Sequence, residues 1–85
     1  MTNFSEWLNF EINVWVHECS GMGKGDYCSS WDDAGRIIEK ANITVSGNQA
    51  WPSQFGPQSE YAVKDKNVLR AAMICYLKMQ RVFNA

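Results

Sequence analysis

The stretch that most constrains this chain covers residues 67–83, where Leu69, Ala72, Met73, Tyr76, Leu77 and Gln80 recur at helical spacing along one face. Ala71, Ile74 and Cys75 widen that face. A helix apolar around so much of its circumference must be surrounded by the rest of the protein, so the spacing predicts a central C-terminal helix.

What wraps it is legible as a series of short elements. Residues 9–19 read as a helix because Phe10, Val14 and His17 recur at spacings of four and three, with Trp15 beside them. Gly21, Gly23 and Gly25 then break it. Ser29 or Ser30 can cap a second helix, with Asp32 and Asp33 in its first turn, where the helix dipole favours acids, and Arg36 and Lys40 later. Its expected buried stripe is Trp31, Ala34 and Ile38, together with Ile37 or Ala41. The β-branched run Ile43-Thr-Val45 predicts a strand, Ser46-Gly-Asn48 a hairpin turn, and Ala50-Trp51 the start of the returning strand. Pro52 limits central pairing there. Residues 53–59 are polar and punctuated by Gly56 and Pro57, hence a loop, and Tyr61-Ala-Val63 is either a third strand or an extended lead-in to the last helix. The fold class expected is α+β: two N-terminal helices, a small antiparallel two- or three-stranded sheet, and the central C-terminal helix, in one compact domain over 1–85.

At 85 residues such a chain removes only about 60–65% of its unfolded surface from water. Small domains without disulfides or a metal often gain stability by oligomerising, so a homo-oligomer is expected. The four Trp carry much of the apolar area, on the order of 150–250 Å² for each buried aromatic. Cys19, Cys28 and Cys75 are odd in number, and no pair has Cys-x-x-Cys spacing. That favours a reducing compartment. His17, Cys19 and Cys28 supply three soft ligands where structural zinc wants a fourth, so neither metal nor cofactor is expected. The N-terminal segment lacks the basic flank and apolar run of a signal peptide, and nothing approaches the ~18 apolar residues of a membrane span.

A net charge of −1 excludes the basic profile of a general nucleic-acid binder, and it argues against the duplex partner that Lys64, Lys66 and Arg70 at the strand-to-helix junction would otherwise suggest. The sign of charge divides along the chain. Glu6, Glu11, Glu18, Asp26, Asp32, Asp33 and Glu39 outnumber Lys24, Arg36 and Lys40 in the front half. Behind Ile43, Lys64, Lys66, Arg70, Lys78 and Arg81 outnumber Glu60 and Asp65. Such a division favours head-to-tail association or an anion site on the rear half.

Several stretches, in order and spacing, resemble the NinX-like family of small tailed-phage proteins. They are Phe10-Glu-Ile-Asn13, Asp26-Tyr-Cys28, Asp33, Ile37-Ile38 followed by Ile43, Trp51, and Lys66-Asn-Val-Leu-Arg-Ala-Ala-Met-Ile74. The chain departs from the family pattern at Gly35, near which relatives often carry Pro or Trp, and at Val68, where they often carry Pro. The resemblance implies phage origin and a host-cytoplasm location. It implies no mechanism and no catalytic residue.

Two constellations bear on function. Lys64, Lys66, Asn67 and Arg70 crowd the start of the last helix, where exposed amides already make the helix end partly positive. Cations there call for an anion between them, as in a phosphate or carboxylate site. The plainer reading is that Lys64 and Lys66 are solvated and Arg70 pairs with Asp33 or Glu39. The second constellation is aromatic. Tyr27, Trp31 and Trp51 sit beside a glycine-rich loop or a turn, from which a ring either packs the core or stacks on a base. Adding Arg36 gives the set that a nucleotide-type anion would use: Tyr27, Trp31, Arg36, Trp51, Lys64, Lys66, Asn67 and Arg70.

The single His17 lies mid-helix with no nucleophile patterned around it, so the chain is not expected to be an enzyme. The leading expectation is a small phage-encoded binder that sequesters a nucleotide-type anion, such as a host antiviral second messenger. The alternative is a protein-interaction module that modulates a host or phage replication, recombination or defence factor.

Overall fold

The computed structural model describes residues 7–23 and 25–80. It is an α+β fold of three helices and one antiparallel sheet: α1 (Asn9–Ser20), α2 (Trp31–Ala41), β1 (Ile43–Ser46), β2 (Gln49–Pro52), β3 (Val63–Lys64) and α3 (Val68–Gln80), with strand order β1-β2-β3. Positions 81–83 of the expected helix lie outside the described residues. So do residues 1–6, Lys24 of the glycine-rich break, and Glu6 and Arg81 of the charge division.

The last helix is central. Leu69 and every residue from Ala71 to Leu77 are buried, and α3 contacts α1, α2 and all three strands. Ala71 and Ala72 let neighbours approach closely, while Met73, Ile74 and Leu77 fill the space between them. Gln80, expected on the buried face, is exposed in the last described turn, where its amide keeps its hydration.

The first helix corrects the sequence reading. Its buried residues are Ile12, Val16 and Ser20, whereas Phe10 is 67% exposed and Val14 46%. Both sets recur at i, i+4, so α1 has two apolar rows about 160–200° apart, and only contact with α3 selects one. The chosen row also aims Asn13 at the loop before α2: its side chain donates to Asp26 at 3.2 Å and accepts from the Cys28 amide at 3.1 Å. At the start of α1, Glu11 accepts from the Leu8 amide at 2.9 Å. Gly21, in the left-handed region at φ 71°, ends the helix by donating to the His17 carbonyl.

Of the two candidate caps for α2, Ser30 accepts from the Asp33 amide at 3.4 Å, and Asn42 closes the helix at φ 55°. Ala34 and Ile37 are buried, with Ile38 and Ala41 packed partly against the core. Trp31, expected in this stripe, is instead 56% exposed. Tyr27 and Cys28, both buried, fill the core ahead of α2.

β1 and β2 form a hairpin through the two-residue turn Gly47-Asn48, with Ile43 opposite Pro52 and Ser46 opposite Gln49. The third strand does form, as the two residues Val63–Lys64, starting two residues after Tyr61 and ending one after Val63, with Gln49 opposite Lys64 and Ala50 opposite Val63. Pro52 ends the central strand beyond its pairing with β3, so its missing N–H costs no ladder bond to that neighbour. Alternation puts Ile43, Ala50 and Pro52 towards α3 and leaves Thr44, Ser46, Gln49, Trp51 and Lys64 on the outer face.

Candidate functional site

The first turn of α3 is the best-connected polar region. Asn67 caps it, its Oδ1 accepting from the amides of Leu69 at 3.0 Å and Arg70 at 3.3 Å. Asp65 accepts from the Asn67 amide at 2.9 Å and pairs with the Arg70 guanidinium at 3.1 Å. Arg70 also donates to Asn9 Oδ1 at 2.7 Å and to the Trp7 carbonyl. The negative group that this cation calls for is therefore Asp65, inside the chain, while the Leu69 and Arg70 amides are met by Asn67. Arg70 takes Asp65 rather than Asp33 or Glu39, because β3 delivers Asp65 directly into the turn before the helix.

Asn67 also donates to the Cys28 carbonyl at 2.6 Å, so the α3 start is tied to the loop ahead of α2 as well as to the α1 start. That loop is folded on itself. Asp33 accepts from the Asp26 amide at 3.0 Å, and the Tyr27 hydroxyl donates to the Gly23 carbonyl. A Cβ on Gly25 would lie 2.9 Å from Asp33 Cγ, so a side chain there would push the carboxylate away from the Asp26 amide it holds. Burial pushes the Cys28 thiol up to about 11, partly offset by the nearby Arg70 cation; Asp26 and Asp65 add to the rise. Burial likewise pushes the Cys75 thiol up to about 12, against the pull of Lys78.

The eight residues singled out from the sequence fall into separate groups. Tyr27 is buried, and Asn67 and Arg70 are engaged within the junction just described. Lys64 and half-buried Trp51 share the outer face of the sheet, while Lys66 is exposed between β3 and α3. Trp31 and Arg36 are exposed on α2.

A second surface went unread in the sequence. Phe10, Asn13, Val14, His17, Glu18 and Gly25 line an open groove of about 430 Å³ along the outer row of α1. The His17 ring stands 2.6 Å from the Met22 carbonyl through Nδ1. A carbonyl only accepts, so Nδ1 carries the proton and Nε2 is the acceptor of the neutral ring. The spacing that revealed these residues as a row is the spacing that made them look like core. Trp15, 37% exposed, and Leu8, 64% exposed, extend the apolar character of the helix.

Among the described residues no helix is long and apolar enough to cross a membrane. Comparison with curated proteins and with solved structures gave no match. The family model described as Bacteriophage P22, NinX matches residues 26–80, which take in α2, the sheet and α3 through Gln80. Most of the chain is thereby covered, and it belongs to the NinX family of phage proteins.

Proposed function

We propose that this chain is a non-catalytic binding protein that acts in the host cytoplasm by docking a protein partner on the outer row of α1. One observation carries the reading: Phe10 and Val14 are exposed on the same groove rather than scattered singly over the surface. Isolated surface hydrophobics are ordinary, whereas apolar side chains gathered along a concave strip favour association. The test is affinity capture from infected cells with the native chain and with the Phe10→Ser/Val14→Ser double variant. A stoichiometric protein captured by the first and lost from the second supports the reading. Equal recovery by both, or no stoichiometric partner with either, overturns it.

Sequestration of a nucleotide-type anion keeps one specific support, the placing of Trp51 and Lys64 on one sheet face. An indole there can take a base and the ammonium a phosphate. Calorimetry with cyclic di- and trinucleotides and ADP-ribose tests it. Binding lost in Trp51→Ala would favour this reading, and absence of heat across the panel would remove it.

A further inference from the structure

We propose that the α1 groove receives a positively charged amphipathic helix of the partner protein; this rests on the docking reading above and supplies its chemistry. Shape is the first argument. The groove follows one row of an exposed helix, with Phe10, Val14 and His17 at spacings of four and three. A second helix laid along such a row meets it with anchors at i, i+3 or i+4, and i+7.

Charge is the second. In sequence, residues 7–35 carry the acids Glu11, Glu18, Asp26, Asp32 and Asp33 against one cation, Lys24. Glu18 lines the groove itself, and exposed Asp26 is bonded to Asn13 of its wall. Two described cations reach α1 from other elements, and Lys40 is bonded to the Ser20 carbonyl at the helix end. Arg70 is held at the opposite end by Asp65, Asn9 and Trp7.

Hydrogen-bond polarity is the third. The Asn13 amide is engaged on both sides, its nitrogen by Asp26 and its oxygen by the Cys28 amide. What the groove side chains keep for a partner is the Glu18 carboxylate, an acceptor, and His17 Nε2, which accepts when the ring is neutral. An acceptor-lined strip with apolar anchors suits Lys or Arg flanking apolar residues and disfavours acidic segments. All the lining residues precede the matched segment 26–80.

The experiment uses the whole protein and three labelled synthetic peptides: an amphipathic Leu/Lys helix, a Leu/Glu helix of the same pattern, and a Leu/Lys peptide of scrambled pattern. Anisotropy gives affinity and amide chemical shifts give the location. The proposal expects the patterned Leu/Lys helix to bind best, with shifts concentrated at residues 10–18. Val14→Ser and Glu18→Lys should each weaken it by roughly tenfold, while leaving the thermal midpoint unchanged. Leu/Glu binding as well, scrambled Leu/Lys binding as well, or no effect of Val14→Ser overturns it. So does a dimer in sedimentation that Val14→Ser dissolves, since a second copy would then occupy the groove. If the peptides fail while capture from infected cells still depends on Phe10 and Val14, the cationic-helix proposal falls and the docking reading stands. If capture fails too, the docking reading falls with it.

Discussion

The Asn67 side-chain amide donates to the Cys28 carbonyl at 2.6 Å, joining the first turn of α3 to the loop before α2 across 39 positions of sequence. Its other end caps α3, so one side chain both starts the central helix and fixes what packs against it. Removing it in Asn67→Ala should cost about 2 kcal/mol, roughly half for the cap and half for the bond to Cys28. Asn67→Asp keeps the cap and loses the donor, and should fall between. Urea denaturation measures both; equal loss in Asp and Ala would show that the cap contributes little.

Gly25→Ala should destabilise the protein by about 1–2 kcal/mol, because its methyl group meets the carboxylate that holds the Asp26 amide. Asp33→Ala removes both the clash and the bond. The double variant should therefore cost no more than Asp33→Ala alone, a coupling that a double-mutant cycle reads directly.

The two rows of α1 should respond oppositely. Ile12→Ala opens space in the core and should cost about 2–4 kcal/mol, and Val16→Ala somewhat less. Val14→Ser, on the exposed row, should stay within about 0.5 kcal/mol of the native chain. Unfolding midpoints check this, and a large loss in Val14→Ser would mean that the outer row is covered in solution.

Thiol chemistry should follow burial. Native alkylation at mildly alkaline pH should label half-buried Cys19 first, and Cys28 and Cys75 only after unfolding. The pH dependence of stability has a definite sign. Burial holds Cys28 and Cys75 protonated to about 11 and 12, whereas the unfolded thiols ionise from 9.0. Above 9.0 the unfolded chain thus binds fewer protons than the native one, so stability is complete below that value and falls as pH rises towards the folded values. Burial raises Tyr76 in the same direction. Urea midpoints should drop between pH 8 and pH 10, and a flat profile would contradict it.

Much of the fold was legible from residues 31–80. The breadth of the apolar surface on α3 required a surrounded helix, and Ser30, Gly47-Asn48 and Pro52 punctuate the chain where the elements end. Element order and type follow from such local rules because capping, turns and periodicity act over a few residues. The cations at the α3 start were equally legible, and so was their need for a negative group; Asp65 lay among them, but its role depended on where β3 ended.

The sequence by itself determined the α+β class, the central helix and the crowding of charge before it. Tertiary structure alone decided which row of α1 is buried, that Trp31 faces solvent, and which carboxylate Arg70 takes. Periodicity names the rows of a helix without ranking them, and two rows of similar hydrophobicity differ in free energy only once a neighbouring surface exists to exclude water from one of them.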